Sequence, residues 1–306
     1  MHRKLDVSEM IFSDKIDDRA TGKNLASLEK SRKIRSDFIL KYGFVPESIL
    51  KHNKNSCSIT NKQKRNYSRF SISKNKNLFR ISGQCTRAGA LSSFFQVIGR
   101  LMVDFYCPEN GIVYDPFAGH NSRMELTFKT NRHYIGVDIS KSFMIENRKI
   151  KEELINEQGF FKSDKTITLI ECSSKNVDLP NNHADFTITS PPYWNLEYYG
   201  DEPEQLGNAK TYNKFLKLIT EHIQENLRIL KPGAFCAWFV NDFVKDKAFY
   251  PYHIDLFNIF VEVGFEPFQI YIVDLGASIS QAFVQQIISS KRFPKRHEYC
   301  LLFRKR

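Results

Sequence analysis

The segment T-S-P-P-Y-W at 189–194 concentrates residue types that can hold a planar, hydrogen-bond-donating ligand. Two adjacent prolines after an apolar run remove two backbone donors and stiffen the turn. The carbonyls of Ser190 and Pro191 are left to accept hydrogen bonds from an outside donor, and the Ser190 hydroxyl adds another acceptor. Tyr193 and Trp194 offer flat faces for stacking a ring. A second cluster is D-P-F-A-G-H-N-S at 115–122, where a glycine turn lets backbone approach a nucleotide-like ligand closely. Asp115 is placed there to accept hydrogen bonds from an ammonium group. Asp138 ends H-Y-I-G-V-D about twenty residues later, where an acid accepts hydrogen bonds from ribose hydroxyls.

Chemistry at such points needs strands that end there. Apolar runs at 111–117, 133–138, 166–171, 185–190, 235–240, 268–273 and 299–303 read as seven buried strands. Helical spacing recurs at 90–106, 141–157 and 210–230. Strands alternating with helices predict an α/β class, with a mainly parallel sheet covered on both faces. Ligands on such sheets bind at the carboxyl ends of strands, near the switch in strand order. The three clusters fall just after the first, second and fourth strands.

Charge divides the chain unevenly. Residues 1–80 hold 19 Lys and Arg against 8 Asp and Glu, which is the entire excess of +11; the remainder is balanced. Within 51–80 there are nine basic residues, no acid, and interleaved Tyr67, Phe70 and Phe79. A polyanionic partner is the natural reading, with Lys62, Lys64, Arg65 and Arg69 as contacts; a solvated basic tail is the bland alternative. A second basic run is Lys291, Arg292, Lys295 and Arg296. The six cysteines are scattered without C-x-x-C, which fits reduced structural thiols and no metal site. His253 and His297 lack metal spacing. No run of ~18 apolar residues exists, so no membrane span is expected. Acidic residues near the start replace the apolar stretch of a signal peptide, and a cytoplasmic location is expected.

Over residues 84–306 the chain resembles the amino DNA methyltransferases, S-adenosylmethionine-dependent enzymes that methylate the exocyclic N4 of cytosine or N6 of adenine. D-P-F-A-G-H-N-S resembles their cofactor motif, and Ser190-Pro191-Pro192-Tyr193 matches their catalytic tetrad. L-K-P-G at 230–233, H-E-Y-C-L-L-F at 297–303 and Q-C-T-R-A-G-A-L-S-S-F-F at 84–95 resemble further family segments. The resemblance implies a Rossmann-like methyltransferase fold, a mainly parallel seven-stranded sheet with an antiparallel last strand. It divides the chain into a basic N-terminal region, 1–80, available as a DNA-contacting arm, and a methyltransferase domain, 81–306. It assigns S-adenosylmethionine to Asp115, Pro116, Phe117, Ala118, Gly119, Asp138, Ser173 and Arg87, and catalysis to Ser190, Pro191, Pro192 and Tyr193. Trp194 joins the DNA contacts, and an antiparallel last strand would bring 275–296 to the active-site edge. Asn121 stands where the family has a second glycine, and is expected to hold the turn at positive φ. Ser173 stands where the third strand usually presents an acid.

Ser as the first tetrad residue leans toward cytosine N4, with adenine N6 next. The competing readings are an RNA or protein amide methyltransferase, and a catalytically silent nucleic-acid-binding subunit. A carbon-5 cytosine methylase is excluded, because its Pro-Cys nucleophile is absent. The implied partner is DNA; a cognate restriction endonuclease is left open.

Overall fold

Along 133–138, Tyr134 and Gly136 face one side while Ile135 and Val137 face the other, and all four are buried. A strand apolar on both faces needs helices on both faces. The computed structural model describes residues 25–42, 45–51, 94, 96–156, 164–196, 199–275 and 284–306. Arg87, Lys62, Lys64, Arg65 and Arg69, and the start of the helix expected at 90–106, lie outside the described residues.

The chain divides into two units, Met1–Val45 and Pro46–Arg306. The described part of the first is helix α1 (Leu25–Tyr42), exposed from Lys30 to Asp37. In the second unit, strand β1 (Ile49–Lys51) precedes α2 (Gln96–Tyr106), β2 (Ile112–Asp115), α3 (Ser122–Lys129), β3 (His133–Asp138) and α4 (Lys141–Asn156). Then come β4 (Ile167–Glu171), β5 (Ala184–Thr189), α5 (Tyr212–Ile229), β6 (Leu230–Val240) and a hairpin of β7 (Phe243–Lys245) and β8 (Ala248–Tyr250). Helix α6 (Tyr252–Val263), β9 (Glu266–Asp274), α7 (Val284–Ser290) and β10 (His297–Arg304) complete it.

All seven expected strands are present, in one sheet of order β1-β9-β10-β6-β5-β2-β3-β4. Strands β4, β3, β2, β5 and β6 run parallel, and β10 inserts antiparallel between β6 and β9. The eighth strand, β1, comes from within the basic N-terminal region and pairs parallel with β9. Strand β6 starts earlier than the apolar pattern suggests, because the Gly233 N–H, at φ 80°, already donates to the Lys305 carbonyl. The main core lies between the sheet and α5 and α6, around Trp238, Phe215, Phe260 and Phe303. Helices α3 and α4 cover the other face through Met124, Phe128, Ile150 and Leu154. Among the described residues no helix is long and apolar enough to cross a membrane.

The topology places the site. From β2 the sheet grows outward to β3 and β4, then returns to add β5 on the opposite side of β2. The order therefore reverses between β2 and β5, where an open α/β sheet forms its ligand crevice. The glycine turn leaves β2 and the diproline turn leaves β5, so the two motifs are neighbours.

Candidate active site

Asp115 is fully buried, and its carboxylate is engaged from three directions. Arg123 Nε donates to Oδ2 at 2.7 Å, Tyr134 Oη to Oδ2 at 2.8 Å, and Thr189 Oγ1 to Oδ1 at 2.6 Å. Gly136 makes the second of these contacts feasible: a Cβ there would lie 2.8 Å from the Tyr134 hydroxyl, so only glycine lets the ring cross it. Arg123 also donates from Nη2 to the carbonyls of Phe117 and Ala118, at 2.6 and 3.2 Å. Burial alone would depress the guanidinium; the Asp115 carboxylate outweighs that and the net shift is upward. The expected ammonium acceptor is thus an internal brace tying β2, β3, β5 and α3 together. Its oxygens are saturated by the protein's own donors.

Asp138, by contrast, keeps acceptor capacity. Its Oδ2 accepts the Gly119 N–H at 2.8 Å and its Oδ1 the Ser140 N–H at 2.8 Å, one bond per oxygen. Burial raises its pKa to about 6, against the pull of those two N–H groups. Gly119 sits at φ 49°, the left-handed conformation that closes the turn back onto Asp138. Asn121 does not adopt the positive φ expected of it: at φ −62° and ψ −8° it opens α3, with its side chain donating to Glu125. Gly119 alone supplies the left-handed residue, so no second glycine is needed. Two buried polar atoms beside this turn lack a partner among the described residues, His120 Nε2 and Ser173 Oγ. Burial holds the His120 imidazole down at about 4, so it is neutral at physiological pH. An acceptor-bearing acid, a tight glycine turn and two orphaned polar atoms fit a polar nucleoside-like group.

The diproline turn is built from apolar and aromatic contacts. Pro191 and Pro192 are buried, while Ser190 and Tyr193 are half-buried. The Pro192 carbonyl accepts from Tyr252 Oη at 3.1 Å. Among the described residues nothing donates to the Ser190 hydroxyl or to the Ser190 and Pro191 carbonyls. The Tyr193 ring is held edge-on by Phe243 at 5.8 Å and Tyr252 at 5.7 Å. Trp194 donates its indole N–H to the Ala209 carbonyl at 2.8 Å and packs on Tyr212 and Tyr250. The half-buried indole thus packs under the hairpin.

The basic run 291–296 does reach this edge, because β10 is antiparallel. Three of its four cations are already engaged. Arg292 donates to the Lys247 carbonyl at 3.0 Å, Lys295 to Asp242, and Arg296 to both Asp274 oxygens at 2.9 and 3.1 Å. Burial lowers the Lys295 ammonium to about 8. Lys291 is exposed with no partner among the described residues. Sequence reasoning missed Arg123, Tyr134, Tyr252 and Glu298. Glu298 is the second residue of β10, and burial raises its carboxyl to about 7 with only Arg123 pulling it down. An acid inside an otherwise apolar closing strand was its available signal.

Residues 184–306 match a family model for DNA methylases of the N6/N4 type. Type II methyltransferase M.BglII of Bacillus subtilis is 32% identical over 130 residues, 42% of this chain and 32% of that protein. Type II methyltransferase M.MjaVI of Methanocaldococcus jannaschii is 33% identical over 102 residues, 33% of this chain and 50% of that protein. The matched stretches thus span a third to a half of these relatives' own lengths. A solved putative DNA modification methylase of Thermus thermophilus, complexed with S-adenosyl-L-methionine, is 26% identical with a TM-score of 0.31, covering 42% of this chain and 50% of that one. Residues 184–306, from the diproline strand to the closing strand, are thus similar to the amino DNA methyltransferase family.

Proposed function

We propose that the chain transfers a methyl group from S-adenosyl-L-methionine to the exocyclic amine of a base in DNA, with cytosine N4 ahead of adenine N6. One observation carries this: Ser190 and Pro191 present acceptors that nothing described inside the protein engages, beside a braced glycine turn at the switch point. Asp138, Ser173 and His120 would hold the cofactor, with the Phe117–Gly119 backbone beneath it. When bound, that cofactor supplies an electrophilic methyl on a sulfonium.

An exocyclic aromatic amine is a poor nucleophile because its lone pair is delocalised into the ring. The Ser190 hydroxyl and Pro191 carbonyl accept hydrogen bonds from its two N–H groups and pull the nitrogen toward tetrahedral geometry, localising that pair; one of those protons leaves to solvent after the methyl–sulfur bond has broken. As the carbon–nitrogen bond forms the nitrogen becomes positive, so these acceptors stabilise charge where it develops. Tyr193 stacks on the base, and its own position is set by Phe243 and Tyr252. Alignment does the remaining work. A base inside a duplex cannot reach this turn, so it must be extruded at a cost of a few kcal/mol.

The test is nucleoside mass spectrometry on DNA from cells expressing the full chain, beside a Ser190→Ala control. N4-methylcytosine that depends on Ser190 is the expected product, and N6-methyladenine would move the base assignment. Neither product, with robust expression, would overturn the proposal.

A further inference from the structure

Phe293 is 92% exposed, in the middle of K-R-F-P-K-R at 291–296. A large aromatic ring left in water by a described segment needs a partner or a reason. Its segment is anchored at two points to the β7–β8 hairpin region: Arg292 donates to the Lys247 carbonyl in the hairpin turn, and Lys295 to Asp242 at the hairpin base. The hairpin is in turn attached to the catalytic turn. Its inward face, Phe243 and Tyr250, stacks at 5.1 Å and packs against Tyr193 and Trp194. Its outward face exposes the cross-strand pair Val244 and Phe249, at 40% and 55%. Arg292 meets Lys247 at the hairpin turn and Lys291 adjoins it in the segment, so three cations lie in these two pieces against the turn's one acid, Asp246, which pairs with Lys245.

From this arrangement we infer that the β7–β8 hairpin and the 291–296 segment form one DNA-facing ridge, with Phe293 as an apolar wedge entering the base stack next to the extruded base. The inference rests on the reading of the chain as a DNA-modifying enzyme and adds the element that opens the duplex. Charge selects the partner: exposed apolar groups on segments whose cations outnumber their acids match a polyanion whose interior is a stack of aromatic rings. Inserted apolar side chains unstack base steps at a cost of a few kcal/mol, repaid by stacking and phosphate contacts. Exposure of Phe293 is then functional, since a wedge must stand clear of its own fold to enter another.

The experiment titrates a fluorescein-labelled mixed-sequence duplex with the full chain and follows anisotropy over a range of salt. Phe293→Ala is expected to weaken binding about tenfold while leaving the log–log salt slope unchanged, because stacking carries no counterions. Phe293→Trp should restore affinity. Lys291→Gln should do the reverse, lowering the slope by about 0.9. The side chain is exposed, so circular dichroism should show the variants folded. Unchanged affinity in Phe293→Ala would overturn the wedge, as would a loss of self-association in sedimentation with DNA affinity intact. Methylation readouts separate the two claims. Wild-type chain that methylates DNA with Phe293→Ala equally active and tight-binding removes the wedge alone. Wild-type chain that binds through Phe293 but methylates nothing removes the enzymatic reading alone.

Discussion

The two turns that meet at the switch point are assembled from opposite materials. The one after β2 is polar and braced: Asp115 is saturated by Arg123, Tyr134 and Thr189 and the Gly119 N–H is held by Asp138, while Asp138 and His120 keep capacity for a ligand. The one after β5 is apolar and aromatic, and it leaves Ser190 and Pro191 with no described internal donor. The saturated Asp115 brace gives rigidity and little capacity for new partners, whereas a turn stiffened by prolines keeps acceptors open without losing its shape. Position and reaction are thereby separated: the first turn supplies a fixed floor, and the second supplies the groups that must act on a ligand.

Removing one residue from each turn is the sharpest way to break this contrast. Asp115→Ala leaves the buried Arg123 charge without its partner, which should cost about 3–5 kcal/mol of unfolding free energy in a urea titration. Ser190→Ala removes nothing the fold uses and should change stability by less than ~0.5 kcal/mol. Its effect belongs to turnover, a loss of about 10²-fold with cofactor affinity unchanged by calorimetry. If Asp115→Ala were as stable as wild type and merely bound the cofactor weakly, the brace would be wrong and the ammonium role would return.

Legibility in the sequence follows the same division. Tyr193 and the two prolines are contiguous, so their chemistry can be read from a hexapeptide. The Asp115 brace draws partners 8, 19 and 74 residues away on three elements, and no local pattern brings them together. Strands β2, β3, β5 and β6 announce themselves as apolar runs because both faces are largely buried, whereas the edge strand β4 alternates with exposed Thr168 and Glu171. Strand β1 is three residues long at the sheet edge and ends in Lys51, so it carries no such run. The hairpin was hidden by its turn. Asp246 and Lys247 both take positive φ, at 50° and 67°, where a two-residue loop usually shows Asn-Gly or Asp-Gly. Trp194 shows the limit of residue type as evidence: an aromatic after a catalytic motif can face a ligand or the core, and only Ala209 decides it.

A smaller effect should sharpen the contrast within the cofactor side. Asp138 has a raised pKa, about 6 against an ordinary 3.8, through burial, with Asp115 adding to it and Arg123 opposing it. Between those values the folded chain holds a proton that the unfolded chain has released, so this group lowers stability as pH rises across the window. With Asp138 in its proposed role, binding runs the other way, because ribose hydroxyls would donate to the carboxylate. Cofactor affinity should climb up to tenfold per pH unit below about 6 and level off above it. Asp138→Asn should flatten that climb, while Glu298→Gln, whose own carboxyl titrates near 7, should leave it in place. A climb that survives Asp138→Asn would remove Asp138 from the binding surface.

The smallest effect comes from the hydrogen bond that Tyr252 donates to the diproline turn. Tyr252→Phe deletes the donor to the Pro192 carbonyl and should cost about 1 kcal/mol of stability, because that carbonyl is buried. Its kinetic effect discriminates more than its size. Tyr252 touches neither Ser190 nor Pro191 by any described hydrogen bond, yet its ring bounds Tyr193 at 5.7 Å. If the turn's rigidity resides in the prolines, turnover in Tyr252→Phe stays within about threefold of wild type, since the phenyl ring still bounds Tyr193. If the Pro192 bond is what aims the turn, turnover falls nearly as far as in Ser190→Ala while stability barely moves. The second result would show that the β5 turn depends on polar bracing after all, and would erase the difference between the two sides of the crevice.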